Sequence, residues 1–261
     1  HLRVALLGVG FAALTAATAA PARASCNTIA FERAQFTVCR FDVEDVAIEI
    51  HWRGDNARPF TTLNAVTRAL SAKGDRILMA MNAGMYHEDL SPVGYHVEDR
   101  RKLKAANTRR GPGNFHLLPN GIFFVDKGRV GVMETRAFLR RNRRPEFATQ
   151  SGPMLVIDGK LHPKFRSTSQ SRKRRNGVGV SQDGRAVVFV LSNQPVTFHA
   201  FARLFRDQLK TPNALFLDGG SVPQMVAPGI SRLSFAPVGP VVSVTSKSQA
   251  RSKSKRASTT R

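Results

Sequence analysis

The sequence predicts an α+β fold in a single domain, built on a mixed, largely antiparallel sheet with a few flanking helices. Two observations carry this. Short apolar or β-branched runs are punctuated by Asn120 Gly121, Asp126 to Gly128, Asp158 Gly159 and Asp183 Gly184, the local chemistry of β-hairpins. Two stretches have helical spacing of apolar residues, and each leads into an apolar strand that ends in polar residues. At 261 residues, with 42% apolar and 22% charged, the chain has the material for one sizeable core.

The elements follow in order. Arg3, the apolar stretch from Val4 to Ala20, and Ala22 Arg23 Ala24 predict a signal peptide over 1–24, cleaved before Ser25. The stretch is rich in Ala, Gly and Thr and is followed by Pro21, so no stable membrane insertion is expected after cleavage. Export would put the chain in the periplasm or outside the cell, where the only cysteines, Cys26 and Cys39, are expected to form a disulfide. Asn64 to Ala72 places Ala65, Val66, Ala69 and Leu70 at helical spacing, stops at Lys73 Gly74, and feeds a strand from Arg76 to Met81. Hairpins are expected to pair Phe115–Leu118 with Ile122–Val125, Met154–Ile157 with Lys160 Leu161, and Val178–Ser181 with Ala186–Leu191. The second helix, Thr197 to Leu209, sets Phe198, Phe201, Ala202, Phe205 and Leu209 on one face and stops before Pro212. It feeds Ala214 to Leu217, a buried run that halts at Asp218 Gly219 Gly220 Ser221. The domain is predicted over 25–245. Residues 246–261 hold six basic residues, no acid and nothing apolar larger than alanine, which predicts a disordered basic tail.

The formal charge is +22; the two ends carry eight basic residues and no acid, so the domain itself keeps +14. The excess clusters at Arg100 Arg101 Lys102 Lys104, at Arg109 Arg110, from Arg136 to Arg144, and at Arg172 Lys173 Arg174 Arg175. Such runs attract phosphates, but aromatics are not interleaved with them and no zinc-finger, KH or RRM signature is present. No specific nucleic-acid partner is expected, and an anionic glycan fits better. His87 Glu88 Asp89 with His96 lacks H-E-x-x-H or zinc spacing, so no metal is expected. Neither a Gly-rich nucleotide loop nor a G-x-S-x-G elbow occurs, and no organic cofactor is called for.

A strand that ends in a carboxylate, two glycines and a hydroxyl presents an acid beside open backbone, which suits an anionic substrate. Five further motifs precede it in order: Asn82 Ala83 Gly84 Met85 Tyr86; Ser91 to Tyr95; Gly113 Asn114 Phe115 with Pro119 Asn120 Gly121; Gln150 Ser151 Gly152 Pro153 Met154 Leu155; and Arg175 Asn176 Gly177 Val178 Gly179. Together these resemble the phosphodiester glycosidase family over about residues 75 to 230, with Ala83 and Met85 standing where one branch has glycine and an aromatic.

The resemblance implies hydrolysis of a sugar-1-phosphodiester at the anomeric C–O bond. A phosphate leaving group is already a stable anion, with a second pKa of about 6, so the usual carboxylate pair of a glycosidase reduces to one carboxylate. Asp218 takes that part as nucleophile or as base for water. Arg175 is chosen to hold the phosphate, with Arg174 second, since a guanidinium binds phosphate oxygens in a bidentate manner. Asn82 completes the catalytic set. Backbone at Gly84, Gly152, Gly219 and Gly220 is expected to bind phosphate or sugar hydroxyls, with Asn114, Ser151, Asn176 and Ser221 as further contacts. Tyr86 is either a sugar platform or core packing, and His116 is read as structural.

Overall fold

The structure, a computed structural model, describes residues 25–247. The predicted signal peptide, and the predicted tail from residue 248 onward, lie outside the described residues. The described residues form three sheets. The first runs β1 (Ser25–Phe31), β2 (Ala34–Asp42), β13 (Ala186–Ser192), β12 (Arg175–Val180), β14 (Asn213–Gly219), β10 (Met154–Ile157), β11 (Lys160–Leu161). The second runs β16 (Ile230–Arg232), β15 (Met225–Ala227), β4 (Ile77–Asn82), β17 (Val241–Ser246), β3 (Val46–His51). The third runs β6 (Arg101–Lys104), β5 (His96–Glu98), β9 (Phe147–Ser151), β7 (Gly121–Asp126), β8 (Arg129–Glu134).

Strand pairing among the described residues is antiparallel throughout, so the largely antiparallel sheet with few helices is as expected, while the fold is mainly β rather than α+β and holds no parallel pair among those residues. The reason lies in long-range pairing. Helix α1 (Leu63–Ala72) does precede β4, but β4 lies between β15 and β17, both antiparallel to it. Helix α3 (Phe198–Arg203), continued by a π-helical turn Leu204–Gln208, precedes β14, which lies between β12 and β10, again antiparallel.

Both expected helices have the anticipated ends. Thr62 Oγ1 accepts the Ala65 N–H at the start of α1, and Gly74, at φ +84°, ends it. Thr197 Oγ1 accepts the Ala200 N–H at the start of α3. A third, α2 (Thr135–Arg140), is hidden in the sequence by its arginines; Glu134 caps it through both carboxylate oxygens, and Phe138 is its buried anchor. The Asp158 Gly159 hairpin joins β10 to β11, and β12 pairs with β13 as expected. Asn120 Gly121 is not a hairpin turn. Asn114–His116 forms a 3-10 turn, and β7 instead pairs with β8 across Lys127 Gly128. Asn120 is buried, donating to the Phe115 carbonyl and accepting from Thr135 Oγ1, so its side chain serves the interior rather than a turn. Ordered structure also reaches past the expected domain end: Ser246 closes β17, and the Lys247 ammonium donates to the carbonyls of Val43 and Glu44.

The first sheet is covered on both faces, which explains why β13 and β14 read as unbroken apolar runs without alternation. On one side Val178, Leu215 and Leu217 pack with Met79, Met81, Met225 and Val242 of the second sheet. On the other, Leu155, Val190 and Phe216 pack under Phe201 and Phe205 of α3 and its continuation.

Cys26 and Cys39 face each other in the β1–β2 register and are disulfide-bonded. The bridge closes a short loop, so replacing both cysteines by serine is expected to cost about 3 kcal/mol. Thermal melts of that variant, and of the native chain with and without reductant, check it; coincident curves would show that the bridge contributes nothing to the cooperative unit.

Candidate active site

Two strand ends from different sheets meet here. Asn82 is the last residue of β4, Asp218 lies near the end of β14, and Asn176 of β12 stands opposite Asp218 in register. Asn176 ties them together: its Nδ2 donates to the Asn82 carbonyl at 2.8 Å and to Asn82 Oδ1 at 2.9 Å, while its Oδ1 accepts the Asp218 N–H at 2.8 Å. Asn82 Oδ1 also accepts the Gln224 N–H at 2.8 Å. Asn176 and Asn82 are buried, yet Asn82 Nδ2 finds no partner in the protein. A buried donor left unpaired costs about 1–3 kcal/mol, so Asn82 is held there at a cost to stability.

Asp218 is the acid of this cluster. Burial pushes its pKa up to about 7, and the Gly219 N–H bonded to its Oδ1 at 2.7 Å pulls the other way. Tyr86 is half-buried nearby; burial first, then the charge of Asp218, pushes its phenol up to about 12. Its Oη donates to the Pro237 carbonyl at 2.5 Å.

The other expected contacts divide. Gly219 and Gly220 do not offer free N–H groups: the first donates to Asp218 itself, the second to the Arg174 carbonyl at 3.0 Å. The role of Gly220 is conformational, at φ +74° with open space where a Cβ would stand, and Ser221 after it is exposed. Gly84 and Gly152 are packing positions. A Cβ on the former would strike Thr149 Oγ1 and the Gln150 carbonyl, and on the latter the side chain of Asn120. Ser151 is buried, with Oγ donating to the Leu217 carbonyl at 2.7 Å, so it supports β14 from β9. Asn114 is exposed in the 3-10 turn, and His116 is held by the Arg109 carbonyl at 2.8 Å.

Arg175 stands apart from this cluster. It precedes Asn176 on β12 and therefore points to the opposite face of the sheet from Asn176 and its cross-strand partner Asp218. Only 2% exposed, it donates from Nε to the Val196 carbonyl at 2.9 Å and from Nη2 to the Ser171 carbonyl at 3.3 Å, with its guanidinium 3.6 Å over the Phe198 ring. Burial lowers its pKa to about 10, still far above neutrality, so it stays charged. Arg174 is the cation left beside the Gly-rich turn: it is partly buried, and its Nε lacks a partner in the protein.

Two glutamines have roles the sequence does not show, Gln224 outside every motif and Gln150 within one. Gln224 links Asn82 to the Ala236 carbonyl. Gln150 accepts from the amides of Tyr95 and Asn107 and donates to the Asn107 carbonyl and to Asn120 Oδ1, binding three family motifs into one scaffold. Gln224 stands in no chemically distinctive pattern.

A carboxylate of raised pKa at a strand end, set among amide side chains, is the equipment of a hydrolase acting on a polar substrate. The chain belongs to the phosphodiester glycosidase family: the family described by that name matches residues 75–257. The uncharacterized protein YigE of Escherichia coli (strain K12) is 34% identical over 196 residues, spanning 72% of this chain and 76% of that one. The catalytic domain of zebrafish N-acetylglucosamine-1-phosphodiester alpha-N-acetylglucosaminidase, auto-inhibited by its pro-peptide, shares the fold with a TM-score of 0.58 at 15% identity, over 85% of this chain and 82% of that one. A candidate exported protein of Burkholderia pseudomallei K96243 shares it with a TM-score of 0.56 at 13% identity, over 81% and 74%.

Proposed function

We propose that the protein is an exported hydrolase that cleaves the anomeric C–O bond of a sugar-1-phosphodiester in envelope or polymer glycans. The observation that carries this is the half-buried Asp218, fixed by Asn176 and Gly219, with a pKa raised to about 7. In one form an Asp218 oxygen attacks C1, the C1–O bond breaks, the phosphomonoester leaves, and water hydrolyses the glycosyl ester. In the other, Asp218 takes a proton from a water that attacks C1 directly. Either way the products are the free sugar and a phosphomonoester, and the leaving group needs no strong acid. Asn82 Nδ2 and Arg174 Nε are the unpaired donors proposed to hold the phosphate or sugar hydroxyls, with Tyr86 beside them and Ser221 at the open turn. The basic excess of the domain favours an anionic glycan, and the Cys26–Cys39 bridge favours an oxidising compartment.

Hydrolysis of glycosyl phosphodiesters in oxygen-18 water tests the bond that breaks. Label in the sugar supports C–O cleavage, label in the phosphate makes the protein a phosphodiesterase cutting P–O, and binding without turnover makes it a noncatalytic glycan binder.

The pH dependence has a definite sign. Asp218 works ionised in both forms, so kcat/KM is expected to rise about tenfold per pH unit up to about 7 and then level off. A profile that falls through that range would make Asp218 a general acid instead.

A further inference from the structure

We infer that Leu233, Phe235 and Pro237 form a platform for a sugar ring on the aglycone side of the substrate, one unit out from the scissile bond. The inference rests on the proposed reaction at Asp218. From Leu233 to Pro237 the chain alternates: Leu233, Phe235 and Pro237 face solvent, while Ser234 and Ala236 are half-buried. Phe235 stands fully clear of the protein at 109% relative exposure, and Leu233 is 43% exposed. Single exposed apolar residues are ordinary, so position has to carry the case.

That position is tied to the site. The Ala236 carbonyl accepts Gln224 Nε2 at 2.8 Å, and the Gln224 N–H is bonded to Asn82 Oδ1. The Pro237 carbonyl accepts Tyr86 Oη, and Tyr86 feels the charge of Asp218. Val238 is then bridged to Thr61, and Gly239 leaves room for the Tyr86 side chain, which a Cβ there would strike. The backbone that follows Phe235 is therefore anchored to the same residues that surround Asp218, while its ring remains unused.

The chemistry of the ridge selects its occupant. Phe235, with Ser231, Arg232 and Ser234 close to it in the chain, combines a flat apolar ring with polar neighbours, the complement of a pyranose, whose C–H face is apolar and whose rim carries hydroxyls. Three side chains make too narrow an apolar surface to anchor on a bilayer, where stable attachment needs a broad apolar face or two separate signals. The sugar that loses its phosphate has to sit at Asp218, so the ring on the rim belongs to the next unit, beyond the phosphate.

Matched pairs of substrates test this. Methyl phosphodiesters of N-acetylglucosamine, glucose and galactose 1-phosphate are compared with diesters of the same sugar phosphates to the 6-hydroxyl of methyl mannoside. Phe235→Ala is expected to lower kcat/KM about tenfold on the mannoside diester, about 1.4 kcal/mol, through KM and with the methyl diester within about twofold. Phe235→Trp is expected to keep the preference. An unchanged ratio in Phe235→Ala, with wild type active on both substrates and Asp218→Asn on neither, overturns the platform alone. Equal losses on both substrates overturn it too, by placing Phe235 in the catalytic geometry. If Phe235→Ala instead abolishes sedimentation with phosphatidylglycerol vesicles while kinetics are unaltered, the ridge is a membrane contact and the inference fails. No turnover of any pair by wild type removes the proposed reaction itself, and the platform with it.

Discussion

Asp218→Asn is expected to lower kcat by about a thousandfold or more, since it removes the one group proposed to act on the sugar carbon. The fold should survive. Asparagine keeps an oxygen to accept the Gly219 N–H, and the Asp218 amide that bonds to Asn176 is backbone. Stability should move in the opposite direction from activity. The folded pKa of Asp218 is raised to about 7 from a usual value near 4, so between those pH values the native state holds a proton that the unfolded chain releases. Wild-type stability therefore declines as pH rises through that window, and above pH 7 the ionised carboxylate sits desolvated. Asparagine is neutral throughout. The variant should melt no lower than wild type near pH 4 and a few degrees higher at pH 8. Melting curves at both pH values, alongside turnover of a glycosyl phosphodiester, check the two halves separately. Retained turnover would remove Asp218 from the mechanism, and a lower melting temperature at pH 8 would make it a structural acid.

The sequence makes the strand ends at Asn82 and Asp218 legible because an apolar run that halts at polar residues is a local signal. Their meeting depends on pairings that no local signal carries: β4 pairs with β17, which begins at Val241. Helix followed by strand suggested a sheet with parallel members for the same reason, since succession is local and pairing is not. The facing of Arg175 is illegible on different grounds. Where one sheet face is wet, alternation shows which residues share a side; here Val178 and Phe216 lie on opposite faces and both are buried, so the pattern carries no direction. The two glycines after the acid suggest open backbone, but their N–H groups are taken up by Asp218 and Arg174, a matter of partner choice that composition cannot express. Motif residues such as Gln150, Ser151 and Gly84 carry the family resemblance as scaffold. A motif in sequence order shows which fold is being built before it shows which atoms touch substrate.

Arg175 and Arg174, adjacent in the chain, are expected to fail in opposite ways. Arg175→Ala removes the side-chain donor to the carbonyls of Val196, which keeps the Lys173 N–H, and of Ser171, strips the Phe198 face of its cation, and opens a cavity under the aromatic layer. Lost charge-assisted hydrogen bonds, a lost cation–π contact and a cavity together amount to about 3–5 kcal/mol, a large share of a typical domain's 5–15 kcal/mol. For a chain of this size that is a fall of about 10 °C in Tm. Lysine should not rescue it, because an ammonium cannot lie flat on Phe198 while reaching two carbonyls. Kinetics measured well below the melting transition, and normalised to folded protein, should remain within about threefold of wild type, because the guanidinium faces away from Asp218. Arg174→Ala should give the converse: little change in Tm, and a loss of about a hundredfold in kcat/KM through the missing phosphate contact. If Arg175→Ala melts like wild type while its KM rises steeply, the guanidinium turns toward substrate in solution and the phosphate belongs to Arg175 after all.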